Sequence, residues 1–265
     1  MFSSLCVRLA VWLFTVVSLV YVPIGLAQTS DQSDVSQSAE EPSANSDDFS
    51  WNSYFGNFFS DQLGGAINSG FDATGWSVIA GGAILTSIAY NNDDLVRRKF
   101  REERYLSDDA IKFGAVWGSG GPAIITALGL IAIDRPAGLA LAESIAFTSA
   151  THYPMTLIAR RGRPGKPDNL SAFPSGHTSN AFTFATSLAY SYGWTAAVPG
   201  FAAAFVTAAA RIADDRHWLS DTVMGATIGY FWGRATSFQH HKSLKFSMVP
   251  QVSTKHIGLQ VRYEF

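Results

Sequence analysis

The chain has 265 residues, with 19 Lys plus Arg against 21 Asp plus Glu, for a formal net charge of −2. So balanced a charge gives no electrostatic footprint for nucleic acid. The single cysteine, Cys6, excludes an intramolecular disulfide and any cysteine-rich metal site. Charged residues make up only 15%, well below the roughly 25% of ordinary soluble domains. Mean hydropathy is nevertheless only +0.10, so composition alone leaves soluble and membrane-embedded forms both open.

The N-terminus carries Arg8, then an apolar run from Leu9 to Val22, then Pro23, Gly25 and small residues to Ala27. This pattern predicts a signal peptide over residues 1–27, with an uncleaved anchor helix as the alternative. Residues 28–50 are rich in Ser, Gln and acids and poor in apolar groups, which predicts a disordered acidic linker. Trp51, Tyr54, Phe55, Phe58, Phe59 and Leu63 recur at helical spacing. A helix docked on the core is the first expectation for them, and an amphipathic helix lying on a bilayer the second.

Helices are expected over Thr74–Tyr90, Gly138–Ala159, Thr178–Tyr192, Ala196–Ala213 and Leu219–Gly233. The apolar stretch Phe113–Ile133 is long enough to span a bilayer, or it breaks at its internal Gly-Ser-Gly-Gly-Pro and starts a helix late. Asn91 to Asp109 is a dense charge run and reads as a solvated face. The sum is an all-α fold, a bundle of about six core helices over residues 51–240. From residue 241 to 265 the pattern turns to alternation, as in Ile257, Leu259, Val261, Tyr263 and Phe265, and predicts a short C-terminal β-hairpin.

Three short segments carry chemistry. They are Arg163-Pro164, Pro174-Ser175-Gly176-His177, and Arg211 followed by His217 and Asp221. Two arginines can clamp a tetrahedral oxyanion with fixed forks of donors. Two histidines can divide the work of nucleophile and acid. Pro-Ser-Gly-His opens a helix, where free N–H groups and the helix dipole attract an anion. Gly176 permits close approach of backbone to a ligand, while Ser175 can donate its hydroxyl or cap the helix. Asp221 lies one turn beyond His217, where it can accept from the imidazole. His152, His240, His241 and His256 fall outside these segments, and the acids Asp214 and Asp215 are expected to point away from a phosphate.

These residues resemble the pattern of the type 2 phosphatidic acid phosphatase superfamily, which also holds bacterial acid phosphatases and vanadium haloperoxidases. That pattern is Lys-x6-Arg-Pro, Pro-Ser-Gly-His, and Ser-Arg-x5-His-x3-Asp, and the match runs from Thr156 to Asp221. The resemblance implies that His217 attacks phosphorus, His177 protonates the leaving group, and Arg163, Arg211, Ser175 and Gly176 hold the phosphate. It implies a metal-independent reaction with no cofactor. The lysine position is Thr156 and the serine position Ala210, so Arg160 or Arg161 is expected to supply the missing charge. The implied substrate is a phosphorylated lipid or small molecule. The protein is expected to be exported, in the periplasm or membrane, with its site on the extracytoplasmic side. A broad acid phosphatase, a vanadium haloperoxidase and a non-catalytic relative are the alternatives.

Overall fold

A computed structural model describes residues 49–240, together with 246–252 and 257–263 of the tail. The expected signal peptide and most of the linker lie outside these residues. Among the described residues there are ten α-helices and one π-helical segment, more than the six or so core helices expected. They are α1 (Trp51–Gly56), the π segment (Phe58–Leu63), α2 (Gly64–Gly70), α3 (Ala73–Tyr90), α4 (Asp93–Glu103) and α5 (Asp108–Trp117). The bundle continues with α6 (Gly121–Ile133), α7 (Arg135–Ala159), α8 (Gly176–Tyr192), α9 (Trp194–Ala213) and α10 (Leu219–His240). Strands β1 (Phe246–Val252) and β2 (Ile257–Tyr263) pair antiparallel, with Phe246 opposite Tyr263.

Side-chain oxygens mark several helix starts. Asp72 accepts from Gly75 N (2.7 Å), Ser107 from Ala110 N and Asp134 from Ala137 N. Each satisfies one of the orphan donors of a first helical turn. The apolar stretch 113–133 is broken rather than continuous. α5 ends at Trp117, Gly120 takes φ of 89°, and α6 leaves at a bend of 48°.

α8 is the centre of the bundle, with α9, α10 and α7 packed around it. Its small side chains, including Ser179, Thr183, Thr186 and Ser187, are fully buried. Thr183 bonds Thr148 of α7 (2.8 Å), and Ser144 of α7 bonds Thr236 of α10 (2.6 Å). α10 meets α8 at backbone contact. A Cβ on Gly229 would lie 2.3 Å from Ser179 O, and one on Gly225 would lie 2.6 Å from Ser175 O. α10 runs on to His240 instead of stopping at Gly233, because that glycine serves the same close packing and not a C-cap.

The aromatic N-terminal segment docks by one face. Tyr54 donates to Glu143 (2.6 Å), His240 bonds the other carboxylate oxygen (2.9 Å), and Phe58 packs on Phe147. Trp51, Phe55 and Phe59 remain exposed. Much of the bundle's exterior is apolar as well, with Ile84, Ile125, Leu128, Leu157, Ile158 and Val198 all exposed. α3 and α9 are long and apolar enough to cross a membrane, and α5 with α6 would form a third, broken span. This supports membrane association.

Candidate active site

The three segments meet at one end of the bundle. The C-terminus of α7 leads into the 160–175 loop, α8 and α10 present their N-termini, and α9 its C-terminus. Backbone bonds lace them together: Ser175 N donates to Asp221 O (2.9 Å), Gly165 N to Asp215 O (2.9 Å) and Ala172 N to Arg161 O (3.0 Å). After α9 the chain folds back so that Arg216 N and His217 N both donate to Arg211 O. This tight return sets the five-residue spacing between Arg211 and His217.

Ser175 is fully buried and caps α8, accepting from Thr178 N (3.4 Å) and Thr178 Oγ1 (3.0 Å). Its oxygen is engaged within the fold. Gly176 and His177 begin the helix, where their N–H groups precede the first intrahelical bonds. Gly176 packs close to His152, since a Cβ there would lie 3.1 Å from the His152 ring. His152, outside the three segments in sequence, therefore borders the site. Its Nδ1 is buried without a partner among the described residues, and burial, then His217, lowers its pKa.

His217 is buried, and its Nδ1 lies 2.7 Å from Ala172 O. A carbonyl can only accept, so Nδ1 carries the proton and the neutral ring keeps its lone pair on Nε2. The expected bond from His217 to Asp221 is replaced by this one. Asp221 Oδ2 stands 3.8 Å from Nδ1, beyond hydrogen-bond reach, and accepts from Trp218 N (2.7 Å). Asp221 thus stands beside the imidazole without bonding it.

His177 is half-buried on the first turn of α8. Its pKa is pushed down to about 4, first by burial and then by its electrostatic neighbours, Arg211 foremost. Arg163 and Arg211 each have a buried Nε with no partner among the described residues. Arg211 Nη2 donates to Ile111 O (3.3 Å), which holds the fork from behind. Burial, then Arg216, holds the Arg163 guanidinium below its ordinary value.

The two expected compensating cations are not in the cradle. Arg161 donates to Asp221 Oδ1 (2.7 Å), Ser220 Oγ (2.6 Å) and Asp93 Oδ2 (2.7 Å), so its fork is already filled. Arg160 is exposed at the left-handed C-cap of α7, with φ of 45°. Arg216, half-exposed and paired with Asp214, adds positive potential at His177 and Arg163. Its sequence signal was adjacency to His217. Asp214 does not point away as expected: it lies 3.6 Å from Arg211 Nη1 and 3.3 Å from Arg216 Nε. Asp215 does turn away, to Arg97. Ala210 is fully buried at the α5–α9 contact, where a Cβ on Gly114 would lie 2.5 Å from its own.

Fold and site together define a helical bundle with a histidine centre at one end, where a free imidazole nitrogen stands near two arginine forks. Residues 127–245, which hold all three segments, match the sequence model of the PAP2 superfamily. The lipid A 1-phosphatase of Porphyromonas gingivalis is 40% identical over 74 residues, 26% of this chain and 16% of that protein. The lipid A 4'-phosphatase of Helicobacter pylori is 31% identical over 103 residues, 38% of this chain and 51% of that protein. The matches therefore span about half of the second relative and much less of the first. The crystal structure of Aquifex aeolicus LpxE aligns at a TM-score of 0.48 and 21% identity, covering 54% of this chain and 93% of that one.

Proposed function

We propose that this protein is an exported, membrane-associated phosphatase that hydrolyses phosphate monoesters or diphosphates of lipids through a phosphohistidine. The observation that carries the reading is His217, with Nδ1 tied to Ala172 O and Nε2 left free beside His177, Arg163 and Arg211. The apolar exterior and the names of the curated relatives support a phosphorylated lipid as the substrate class. The N-terminal pattern of residues 1–27 supports export, with the site facing the extracytoplasmic side.

The phosphoryl oxygens would lie between the Arg163 and Arg211 forks and the N–H groups that open α8. His217 Nε2 attacks phosphorus as the bond to the ester oxygen breaks. That oxygen takes a proton from His177. The phosphorylated imidazole keeps Nδ1–H on Ala172 O, and Asp221 stabilises its positive charge from close by. Water then attacks phosphorus, His177 accepts the water proton, and the P–N bond breaks to return the lone pair to Nε2. His177 with a pKa near 4 is neutral in the empty site. A bound phosphate monoanion offsets Arg163 and Arg211 and favours the proton on His177.

Phosphate release by the detergent-solubilised protein, in chelator, tests the reading. The panel is phosphatidate, an isoprenyl diphosphate and soluble monoesters, with His217→Ala in parallel. Turnover on the lipids that vanishes in the variant is expected. Turnover confined to soluble monoesters would assign a general acid phosphatase, and turnover surviving in the variant would remove the phosphohistidine.

A further inference from the structure

The charge run of α4 is only partly a solvated face. Asp94, Arg98 and Lys99 are exposed, but Asp93 and Arg97 turn inward beneath the site. Arg97 grips both oxygens of Asp215 (2.7 Å each) and donates to Pro164 O (2.8 Å), joining the first segment to the third. One turn earlier, Asp93 Oδ1 accepts from Ser220 N (2.9 Å), and Oδ2 accepts from Ser220 Oγ (2.6 Å) and Arg161 Nη2 (2.7 Å). The other nitrogen of the same Arg161 fork reaches Asp221 Oδ1 at 2.7 Å.

We propose that Asp93 and Arg161 are a positioning pair that locks the Asp221 carboxylate and so aims His217 Nε2. The proposal rests on the phosphatase reading above. Asp221 has two oxygens and two fixed partners, Arg161 on Oδ1 and Trp218 N on Oδ2. With both engaged, the carboxylate cannot rotate to take the Nδ1 proton 3.8 Å away, and that proton stays on Ala172 O. A switch of partner would tilt the ring and move Nε2 off the line of attack. Displacements of that size cost catalysis far more than binding.

The geometry is fixed on every side. Asp221 is fully buried, and the side chains of Asp93 and Arg161 are 5% and 21% exposed. The Arg161 guanidinium lies against the Tyr90 and Trp218 rings, at 4.9 and 5.3 Å from their centroids. Arg97 covers the Trp218 ring as well, at 5.4 Å. A fork bridging two carboxylates is a task that lysine cannot perform, because its ammonium is a single point of charge. Asp93 and Arg161 bond Ser220, Asp221 and each other, and neither bonds a histidine, so their effect on His217 passes through Asp221.

The test uses the full chain in detergent with the lipid phosphate it turns over fastest, and inorganic phosphate as a competitive probe of the cradle. Arg161→Lys and Asp93→Asn are compared singly and together. The expected result is a fall in kcat of about 10- to 100-fold with KM and phosphate inhibition changed less than about threefold. The double variant should be little worse than the poorer single, since both act on one device. Weakened phosphate inhibition in step with the lost turnover would make Arg161 a cradle cation and overturn the proposal. Unchanged kcat in folded Arg161→Lys would overturn it too. If that variant does not fold, Asp93→Asn alone decides by the same readouts, and if neither folds the pair is architecture only. A parent protein without turnover fails the phosphatase reading itself, an outcome visible before any variant is measured.

Discussion

In the proposed reaction His177 gives a proton to the leaving oxygen, yet burial and neighbouring cations push its pKa from 6.5 to about 4. The sign of the stability effect follows. Between those values the unfolded chain binds a proton that the folded chain does not, so stability is intact above about 6.5 and falls as pH drops towards 4. His177→Asn should flatten the decline of melting temperature across that window, and equal slopes in the two proteins would contradict it. The segments that meet at the candidate site were legible from spacing, because Pro-Ser-Gly-His and Arg-x5-His-x3-Asp are local patterns. The partner of His217 Nδ1 was not, since Ala172 contributes a backbone carbonyl that every residue possesses. Arg161 was misjudged for a related reason. Its charge was visible, but its carboxylate partners lie 60 and 68 residues away.

Among the elements, α8 and α10 do most to place the site, and their glycine contacts set how closely they approach. Gly229→Ala would put a methyl 2.3 Å from Ser179 O. Overpacking of this kind costs about 1–3 kcal/mol, and the melting temperature should fall. Gly129→Ala in α6 is the opposite case, because a Cβ there meets nothing within 4 Å. Alanine gains about 0.5–1 kcal/mol of helix propensity over glycine, so that variant should melt at or above the parent. A stabilised Gly229→Ala would show that the two helices are free to move apart. Element types were readable where periodicity was strong, as in α3, α8 and α9. The end of α10 was misread because a glycine that packs and a glycine that stops a helix are the same letter. The docking of α4 was hidden for a similar reason: a charge run shows no sign of which two residues turn inward.

At the scale of the whole molecule, the site occupies one end of a bundle whose flanks are apolar. α3 and α9 carry exposed Ile84, Ile88 and Val198 along lengths sufficient to cross a bilayer. Washed membranes treated with alkaline carbonate should retain the protein, and detergent should be needed to release it. Release by carbonate would mean that these faces are covered by protein and not by lipid. Composition had left this open because the charges of α4 and the polar interior of α8 dilute the mean hydropathy. The exposed apolar band becomes visible only once the polar groups are placed inside.

The most direct measurement is a rapid quench of the protein with a substrate radiolabelled in its phosphoryl group, for the parent, His217→Ala and His177→Ala. An acid-labile, base-stable phosphoenzyme is predicted in the parent, its formation slowed in His177→Ala for want of a proton donor, and none in His217→Ala. Turnover with no labelled protein, or label that persists without His217, would contradict the assignment of His217 as the nucleophile.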